Sequence, residues 1–316
     1  MWRLWGRQRT PLRLVKTQRC LGLRPDPGTR TDLAVVPAPL QVLTQVRLMD
    51  ADFEALYEEL EQLGQGGFGR VFAGYRREDR LPVRVTPQNH TPCVSTHVSD
   101  PPHPLLNSEA VSLCLCCLGR YKGPGAVVLL LDWFQLDQEL LLVQERPDAS
   151  VDLRAYMRSK GSTLQEQEAK MILHQVVEGI QGLHSRGVLH RDIKPDNLLV
   201  ETGSDTPRVR IIDLGCGCLH NNEVYSEFNG TDLYIPPEVY SKGVYRADPM
   251  TVWQLGVLLY EMLTGNVPFQ TSVHIVTRLV SSPDCKDFLK RCLTKRALGR
   301  PPLQSLLLHP WLQGAD

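Results

Sequence analysis

The stretch HRDIKPDN, residues 190–197, combines an acid, a base and an amide at spacings that suit the transfer of a phosphoryl group. Asp192 lies five residues before Asn197, so one loop can bring a carboxylate to a hydroxyl proton and an amide oxygen to a magnesium ion. Lys194, between them, can contact the phosphoryl group in transfer. Asp213 follows an apolar run sixteen residues after Asn197 and can bind a second magnesium ion.

A glycine-rich stretch, LGQGGFGRV at residues 63–71, can cover the phosphates of a nucleotide. Its glycines let backbone N–H groups approach phosphate oxygens without obstruction by side chains. In a dinucleotide-binding fold this spacing would open a helix, but here the residues from Arg70 onward continue in extended register, which favours a strand–loop–strand hairpin. The candidate nucleotide contacts in this stretch are Leu63, Gly64, Gly66, Gly69 and Val71.

The part of the chain that must position the glycine loop is rich in strands. Residues 56–86 have the pattern of short strands joined by turns, and the runs AVVLLLLDWF and ELLLVQE read as two more. Residues 87–104 carry five prolines in eighteen positions and predict a loop. Residues 105–118 have helical spacing around Glu109.

Long helices follow Pro147. The run LQEQEAKMILHQVVEGIQGLHSRG has helical spacing and ends at Gly187, and MTVWQLGVLLYEMLTG is apolar enough to be buried on all sides. CKDFLKRCL and PLQSLLLHPWL predict two amphipathic helices near residue 313. The predicted divisions are a basic leader at 1–52, a strand-rich part at 53–146 and a helix-rich part at 147–313.

Composition excludes several classes of partner. Lysine plus arginine and aspartate plus glutamate both number 35 among 316 residues, so no overall field points to nucleic acid or to a membrane. Nine cysteines, an odd number at irregular spacing, indicate reduced thiols inside the cell. No apolar run reaches the length of about 18 residues that a membrane span needs. We expect a monomer in the cytoplasm or nucleus.

The leader differs from the rest of the chain. Residues 1–30 carry eight Lys or Arg and a single acid, Asp26, a composition that predicts a disordered basic segment. A mitochondrial presequence is the alternative, because such segments are also rich in arginine and poor in acids. The absence of serine before residue 30 and the presence of Pro11 count against it.

Taken in order, the motifs resemble those of the eukaryotic protein kinase family. The glycine loop, the helix glutamate and the HRD loop are followed by DLG at 213–215, PPE at 236–238 and Arg300. The resemblance spans about residues 57–312. It implies a bilobal α+β fold, with a small antiparallel β-sheet lobe plus one helix and a larger, mostly α-helical lobe. It also implies a buried pair between Glu238 and Arg300.

A narrower resemblance is to PIM-type Ser/Thr kinases, carried by LPV, LLDWF, QERPD, GVLHRDIK, VYSEFNGTDLYIPPE and VWQLGVLLYEM. Pro147 has no N–H, so one usual hydrogen bond to adenine would be missing and adenine would depend on the carbonyl of Glu145. The resemblance implies activity without phosphorylation of residues 213–238. Thr251, where most kinases have aspartate, fits this narrower match.

The resemblance also implies roles for individual residues and the cofactors ATP and Mg²⁺. Asp192 is the candidate catalytic base, and Lys194 is the candidate contact to the γ-phosphate. Asn197 and Asp213 are the candidate magnesium ligands. Glu109 is the candidate helix glutamate.

PIM-type kinases favour protein substrates with basic residues upstream of the target Ser or Thr. The acids that could serve this preference are Asp152, at the start of the first large predicted helix, and Asp196, in the HRDIKPDN loop, whereas Ala155 stands where another acid is expected. The alternative is that both acids are ordinary solvated surface residues.

One expected residue is absent. By register the kinase motif VAIK falls on residues 83–86, which places Thr86 where a lysine should hold the nucleotide phosphates and Glu109. Arg84 would share a strand face with Thr86, and Arg70 could turn inward, so either could supply the charge. The alternative is that both arginines face solvent. Two functions follow: an active Ser/Thr protein kinase, or a pseudokinase scaffold that lacks catalysis.

Overall fold

The computed structural model describes most of the chain after the leader. All described residues belong to one compact unit, Ala38–Asp316. The leader, residues 90–104 of the proline-rich segment and the Glu109 helix lie outside the described residues, so their predictions stay predictions. Residues 87–89, predicted as the start of a loop, continue a strand instead. The described ranges are 53–66, 69–89, 125–135, 139–203, 206–220, 223–268 and 281–313.

The strand-rich part forms a five-stranded antiparallel sheet in the order β1-β2-β3-β5-β4. A short helix, α1 (Phe53–Leu56), precedes it. Gly66 pairs with Gly69, so the glycine loop closes a strand–loop–strand hairpin, as predicted. The strands are β1 (Tyr57–Gly66), β2 (Gly69–Arg76), β3 (Pro82–Asn89), β4 (Leu130–Gln135) and β5 (Glu139–Glu145).

Alternation along β3 separates two faces of this sheet. Val83 and Val85 are 0% exposed and pack with apolar side chains of α1, β1, β4 and β5. Arg84 and Thr86 project from the opposite face, which we call the cleft face. The hydrophobic core thus fixes which residues of β3 lie on the cleft face.

The helix-rich part contains short strands between its helices. The helices are α2 (Leu153–Ser159), α3 (Glu166–Ser185), α4 (Pro237–Lys242), α5 (Ala247–Thr264), α6 (Pro283–Cys292) and α7 (Pro310–Gln313). The strands β6 (Ser150–Asp152), β8 (Leu198–Glu201) and β9 (Arg208–Ile211) form one sheet, and β7 (Val188–Leu189) pairs with β10 (Cys218–Leu219).

The two long helices form as their sequence patterns predict. In α3, Ile172, Val176, Ile180 and Leu183 recur every three or four residues and form a buried stripe. Gly187, with φ of +77°, ends this region in a left-handed conformation that suits glycine. Helix α5 is buried on all sides. In the part of the chain that the structure describes, none of the helices has the length and apolar character needed to cross a bilayer.

Two helix predictions are wrong in detail. PLQSLLLHPWL forms a 3₁₀ segment, Leu303–Leu308, and then the separate α7. Pro310 causes the break, because proline has no N–H to donate and disfavours helical backbone at the preceding residue. His309 is accordingly extended, with φ −68° and ψ 135°. Asp152 begins α2, which is only seven residues long, and not a large helix.

The predicted pair between Glu238 and Arg300 is confirmed. The two terminal guanidinium nitrogens of Arg300 each donate to one carboxylate oxygen of Glu238 at 2.7 Å. The side chains are 0% and 7% exposed for Arg300 and Glu238, respectively. Arg300 also donates to the carbonyls of Pro249 and Thr294, at 2.8 and 2.9 Å. It therefore joins α4, the start of α5 and the segment after α6.

Removing one partner of this pair should be costly. We expect Glu238→Ala to lower the free energy of unfolding by about 3–5 kcal/mol, because a buried guanidinium is left without its counterion. The matched control is Arg291→Ala, which removes an ion pair with Asp287. In that pair the side chains of Arg291 and Asp287 are 60% and 48% exposed, respectively. That change should cost less than about 1 kcal/mol. Urea denaturation measures both, and equal costs would contradict the expectation.

Candidate active site

The predicted phosphoryl-transfer loop lies between β7 and β8, and strand pairing brings it beside Asp213. Strand β8 pairs with β9, with Leu198 opposite Ile211. The N–H of Ile212 then donates to the carbonyl of Asn197 at 2.9 Å. Asp213 therefore follows directly from a strand that is hydrogen-bonded to the end of the loop.

Asp192 is the centre of a hydrogen-bond network. Its carboxylate is buried, at 3% exposed. Lys194 Nζ lies 2.8 Å from Oδ2, and Asn197 Nδ2 donates to the same oxygen at 3.0 Å. The N–H of Thr231 donates to Oδ1 at 2.9 Å, and Lys194 Nζ also donates to Thr231 Oγ1 at 2.7 Å. Thr231 was not identified from the sequence, because nothing local marks it as a partner of Asp192.

Ionisation of Asp192 follows from these contacts. Burial raises the pKa of the carboxyl group, but the hydrogen bonds from Lys194 and Thr231 more than offset it, so the pKa lies below its usual range. Asp192 is therefore a carboxylate at neutral pH. In that form it can accept a hydrogen bond from a substrate hydroxyl.

Asn197 and Asp213 present oxygen atoms that suit a hard cation. Asn197 Nδ2 is occupied by Asp192, including a donation to its carbonyl at 2.8 Å, which leaves Oδ1 as the ligand atom. Asp213 has a left-handed backbone, with φ of 63°. Its Oδ1 accepts from the N–H of Gly215 at 3.0 Å, and Oδ2 is left for a cation. A non-glycine residue in this conformation costs about 1–3 kcal/mol, and such strain concentrates at functional sites.

His190 supports the loop from beneath as a neutral side chain. Its Nδ1 accepts from the N–H of Asp192 at 3.2 Å, so its Nε2 carries the proton and donates to the carbonyl of Ile212 at 3.2 Å. Complete burial lowers the pKa of His190. The ring therefore links the loop to the residue before Asp213.

Arg191 is directed toward the segment that follows Asp213. Its backbone is left-handed, with φ of 68°. Its guanidinium donates to the carbonyls of Cys216, Gly217 at 3.1 Å and Glu227 at 3.4 Å. The side chain thus satisfies main-chain acceptors at both ends of this segment.

Helix α5 anchors the loop through Gln254, which is 0% exposed. Its Nε2 donates to the carbonyl of Arg191 at 2.7 Å, and its Oε1 accepts from the N–H of Ile193 at 3.4 Å. Sequence reasoning missed this residue. The available signal was a glutamine inside an apolar helix, since a buried amide requires hydrogen-bond partners.

Thr251 contacts a different part of the structure. Its Oγ1 lies 3.4 Å from Nε2 of His184, near the end of α3. The other ring nitrogen, Nδ1, lies 3.1 Å from Oδ1 of Asp248. The hydrogen bonds from α5 to the phosphoryl-transfer loop, residues 190–197, are thus made by Gln254, one turn further along the helix. We call this loop the catalytic loop.

On the cleft face, Arg84 lies opposite Gln144 and Thr86 lies opposite Leu142. Among the described residues, Arg84 Nε and Thr86 Oγ1 are buried without a hydrogen-bond partner. Burial lowers the pKa of the Arg84 guanidinium, and the negative charge of Asp213 acts in the opposite direction. The structure therefore counts against the solvent-facing alternative for Arg84: the residue is half-buried, its Nε is buried, and its guanidinium interacts electrostatically with Asp213.

Arg70 behaves differently. It is exposed, and its guanidinium carbon lies 5.9 Å from the ring centroid of Phe72 on the same strand. The structure therefore favours the solvent-facing alternative for Arg70. Leu63 is 48% exposed on the glycine-rich hairpin.

The link between the two parts leaves a main-chain carbonyl for a ligand. The N–H of Glu145 donates to Leu129 at 2.9 Å, and the side-chain Oε1 of Glu145 accepts from the N–H of Leu129 at 3.2 Å. Pro147 has no N–H, and its carbonyl accepts from Ser150 Oγ at 2.9 Å. The carbonyl of Glu145 is then the candidate contact to adenine.

The structure thus joins Asp192, Lys194 and Asn197 by direct hydrogen bonds and places Asp213 beside them. Arg84, on the cleft face of β3, interacts electrostatically with Asp213. The glycine-rich hairpin and Glu145 belong to the sheet part, and Glu109 lies outside the described residues.

The catalytic loop, the DLG aspartate and the two-part architecture define a protein kinase. The family model for the protein kinase domain matches residues 57–312, and the chain belongs to this family. It is a PIM-like member: it is 37% identical to Serine/threonine-protein kinase pim-2 of Danio rerio over 271 residues, which cover 82% of this chain and 86% of that protein.

Two other relatives extend this result. Serine/threonine-protein kinase prk-2 of Caenorhabditis elegans is 31% identical, with 83% of this chain and 59% of that protein covered. Sperm motility kinase 2B of Mus musculus is 29% identical, with 83% and 52% covered. All three relatives are named as kinases.

The buried histidines predict a pH dependence of stability. Burial lowers the pKa values of His184 and His190 in the fold, whereas the unfolded chain binds these protons near pH 6.5. The unfolded state therefore binds more protons below pH 6.5. The contribution of these two histidines to the free energy of unfolding should be fully present above about pH 6.5. Below that pH the free energy of unfolding should fall, by up to about 1.4 kcal/mol per pH unit for each histidine.

Urea unfolding at a series of pH values between 5 and 8 measures this slope. His190→Phe should reduce it, even though the variant is less stable overall. The control is His174→Phe, because the side chain of His174 is 40% exposed. An unchanged slope in His190→Phe would show that His190 is not held neutral by the fold.

Proposed function

We propose that this chain is an active Ser/Thr protein kinase that transfers the γ-phosphoryl group of ATP to protein hydroxyls. The observation that carries the proposal is the network around Asp192. A buried carboxylate is held in one position by Lys194, Asn197 and Thr231 at 2.8–3.0 Å. Such preorganisation is the main contribution that a protein makes to phosphoryl transfer.

The residues of the chain divide the reaction between them. The substrate hydroxyl oxygen bonds to the γ-phosphorus while the bond from that phosphorus to the bridging oxygen breaks. The hydroxyl proton passes to the carboxylate of Asp192, which also orients the attacking oxygen. Lys194 brings positive charge to the group in transfer, and Thr231 holds both Asp192 and Lys194 in place.

The donor set fits a divalent cation and a triphosphate. Asn197 Oδ1 and Asp213 Oδ2 are hard oxygen ligands of the kind Mg²⁺ prefers, and Mg²⁺ would neutralise phosphate charge there. On the cleft face, Arg84 Nε and Thr86 Oγ1 are buried without partners among the described residues. Phosphate oxygens would satisfy both, since each atom can donate a hydrogen bond.

In this proposal Arg84 supplies the charge that Thr86 lacks. It occupies the same strand face two residues earlier, and its longer side chain covers the difference. Its guanidinium feels the negative charge of Asp213, one of the candidate metal ligands. Protein substrates with basic residues upstream are part of the proposal, with Asp196 in the catalytic loop as a candidate acid to recognise them.

Purified protein with ATP, magnesium and a basic Ser peptide tests the proposed activity. Wild-type protein should phosphorylate the peptide, and Asp192→Asn should abolish the transfer, since the amide cannot accept the hydroxyl proton. Nucleotide binding, measured by calorimetry, should survive in that variant. Failure of the folded wild-type protein to transfer phosphate to any peptide in a Ser/Thr set would contradict the proposal.

Arg84→Ala should lower kcat/KM for ATP by about 100- to 1,000-fold, because one preorganised charge at the reacting group is lost. Arg70→Ala is the matched control, and it should change this value less than twofold, since Arg70 is exposed.

The same variants test the pseudokinase alternative, which the uncharged Thr86 favours. If Arg84 fills the place of the nucleotide instead of binding its phosphates, Arg84→Ala should strengthen ATP binding. Activity that appears only in Thr86→Lys would also support the scaffold.

A further inference from the structure

Arg154, on α2, holds two acids of the helix-rich part at once. Its Nε and one terminal nitrogen each donate to a different oxygen of Asp196 at 2.9 Å. Its other terminal nitrogen donates to Oε1 of Glu261 at 2.7 Å. The three bonds use the guanidinium as a planar fork, the geometry in which arginine binds carboxylates most tightly.

These two acids differ in their surroundings. The side chain of Glu261, on α5, is 4% exposed, and its second oxygen accepts from the hydroxyl of Tyr234. The side chain of Asp196 is 46% exposed and lies two residues after Lys194 in the catalytic loop. Together they form an acidic subsite, Asp196 and Glu261, that is open to solvent on the side of Asp196.

The acidic subsite is suited to a guanidinium, and it already contains one from the same chain. Asp196 is one of the acids expected to recognise a basic residue of a substrate. The two carboxylates of Asp196 and Glu261 alone carry a charge of −2. With the guanidinium of Arg154 bound to them, the net charge of the subsite is −1. An incoming arginine would meet half of the negative charge and no free pair of carboxylate oxygens on Asp196.

We propose that Arg154 is a specificity-determining residue that imitates a substrate arginine and limits the preference of this chain for basic residues upstream of the target. The proposal rests on the proposed kinase function and refines its substrate class. The Arg154 side chain is 37% exposed, so a substrate arginine can reach it. To take the place of Arg154 at Asp196, however, the substrate must first break the two paired hydrogen bonds between Arg154 and Asp196. Substrates with neutral residues at that position are therefore accepted nearly as well.

The other acid proposed for substrate recognition does not change this conclusion. Asp152 caps α2, and its Oδ1 accepts from the N–H of Ala155 at 2.7 Å. Its carboxylate is thus partly used within the chain, in the same helix that carries Arg154. Both candidate acids are engaged by α2 or its backbone.

The test compares peptides that differ only by Arg or Ala at each upstream position. The measured quantity is the ratio of kcat/KM for the two peptides in one mixture, which does not depend on the fraction of folded enzyme. Arg154→Gln keeps a hydrogen-bond donor near Glu261 but removes the charge. It should raise the Arg-to-Ala ratio at one upstream position by about tenfold, the effect expected of one charge-assisted pair.

The matched control is Arg158→Gln, which removes the same charge from an exposed position one turn further along α2. Its ratio should stay within twofold of the wild-type value. Asp196→Asn should lower the ratio strongly in the Arg154→Gln background and little in the wild-type background. A merely structural role for Arg154 would reduce the rates for both peptides and leave the ratio unchanged.

A second readout separates this proposal from the proposed function. Fluorescence anisotropy of labelled Arg and Ala peptides measures the ratio of their binding constants without any phosphoryl transfer. If neither the wild-type protein nor any variant transfers phosphate but the binding ratio rises in Arg154→Gln, the proposal of kinase activity is wrong and the proposed role of Arg154 is supported. If Arg154→Gln does not fold, Arg154→Lys, which cannot form the fork, should still raise the ratio at least twofold. An unchanged or lower ratio in the folded variants overturns the proposal.

Discussion

The site depends on one buried negative charge. A carboxylate at 3% exposure would be protonated or would destabilise the fold without compensation, and Asp192 is compensated from three directions. Lys194 supplies charge from two residues away, Asn197 supplies an amide from the end of the loop, and Thr231 supplies a backbone N–H from a different segment. Keeping this carboxylate ionised requires β7, β8 and the segment after Asp213 to be in place together.

Much of the architecture around this charge could be predicted from the sequence, because it follows local rules. The alternation of β3 and the end of α3 two residues before Gly187 depend on residues a few positions apart. The pair of Glu238 and Arg300 was predicted from family motifs. PLQSLLLHPWL has the apolar period of one helix, but Pro310 overrides that period and divides the segment in two.

The residues that the sequence did not reveal act over long separations. Thr231 meets Asp192 across 39 positions, Gln254 meets Arg191 across 63, and Arg154 meets Glu261 across 107. No periodicity or spacing rule links such partners, because their proximity results from the packing of whole helices. Likewise, alternation places Arg84 and Thr86 on one face of β3, but it does not say which face of the strand joins the sheet's hydrophobic core. The packing of Val83 and Val85 in that core decides this.

The pair of Glu238 and Arg300 has a consequence for synthesis of the chain on the ribosome. The two residues are 62 positions apart, and both α5 and α6 lie between them. Until Arg300 has left the ribosome, Glu238 lacks its counterion, and burial of its carboxylate is unfavourable. Helix α4 is therefore not stable in its native position at that stage. Domains generally fold as units during translation. The helix-rich part must therefore complete its folding late, as one cooperative step, and a nascent chain that stalls within α6 would present an unfinished surface to chaperones.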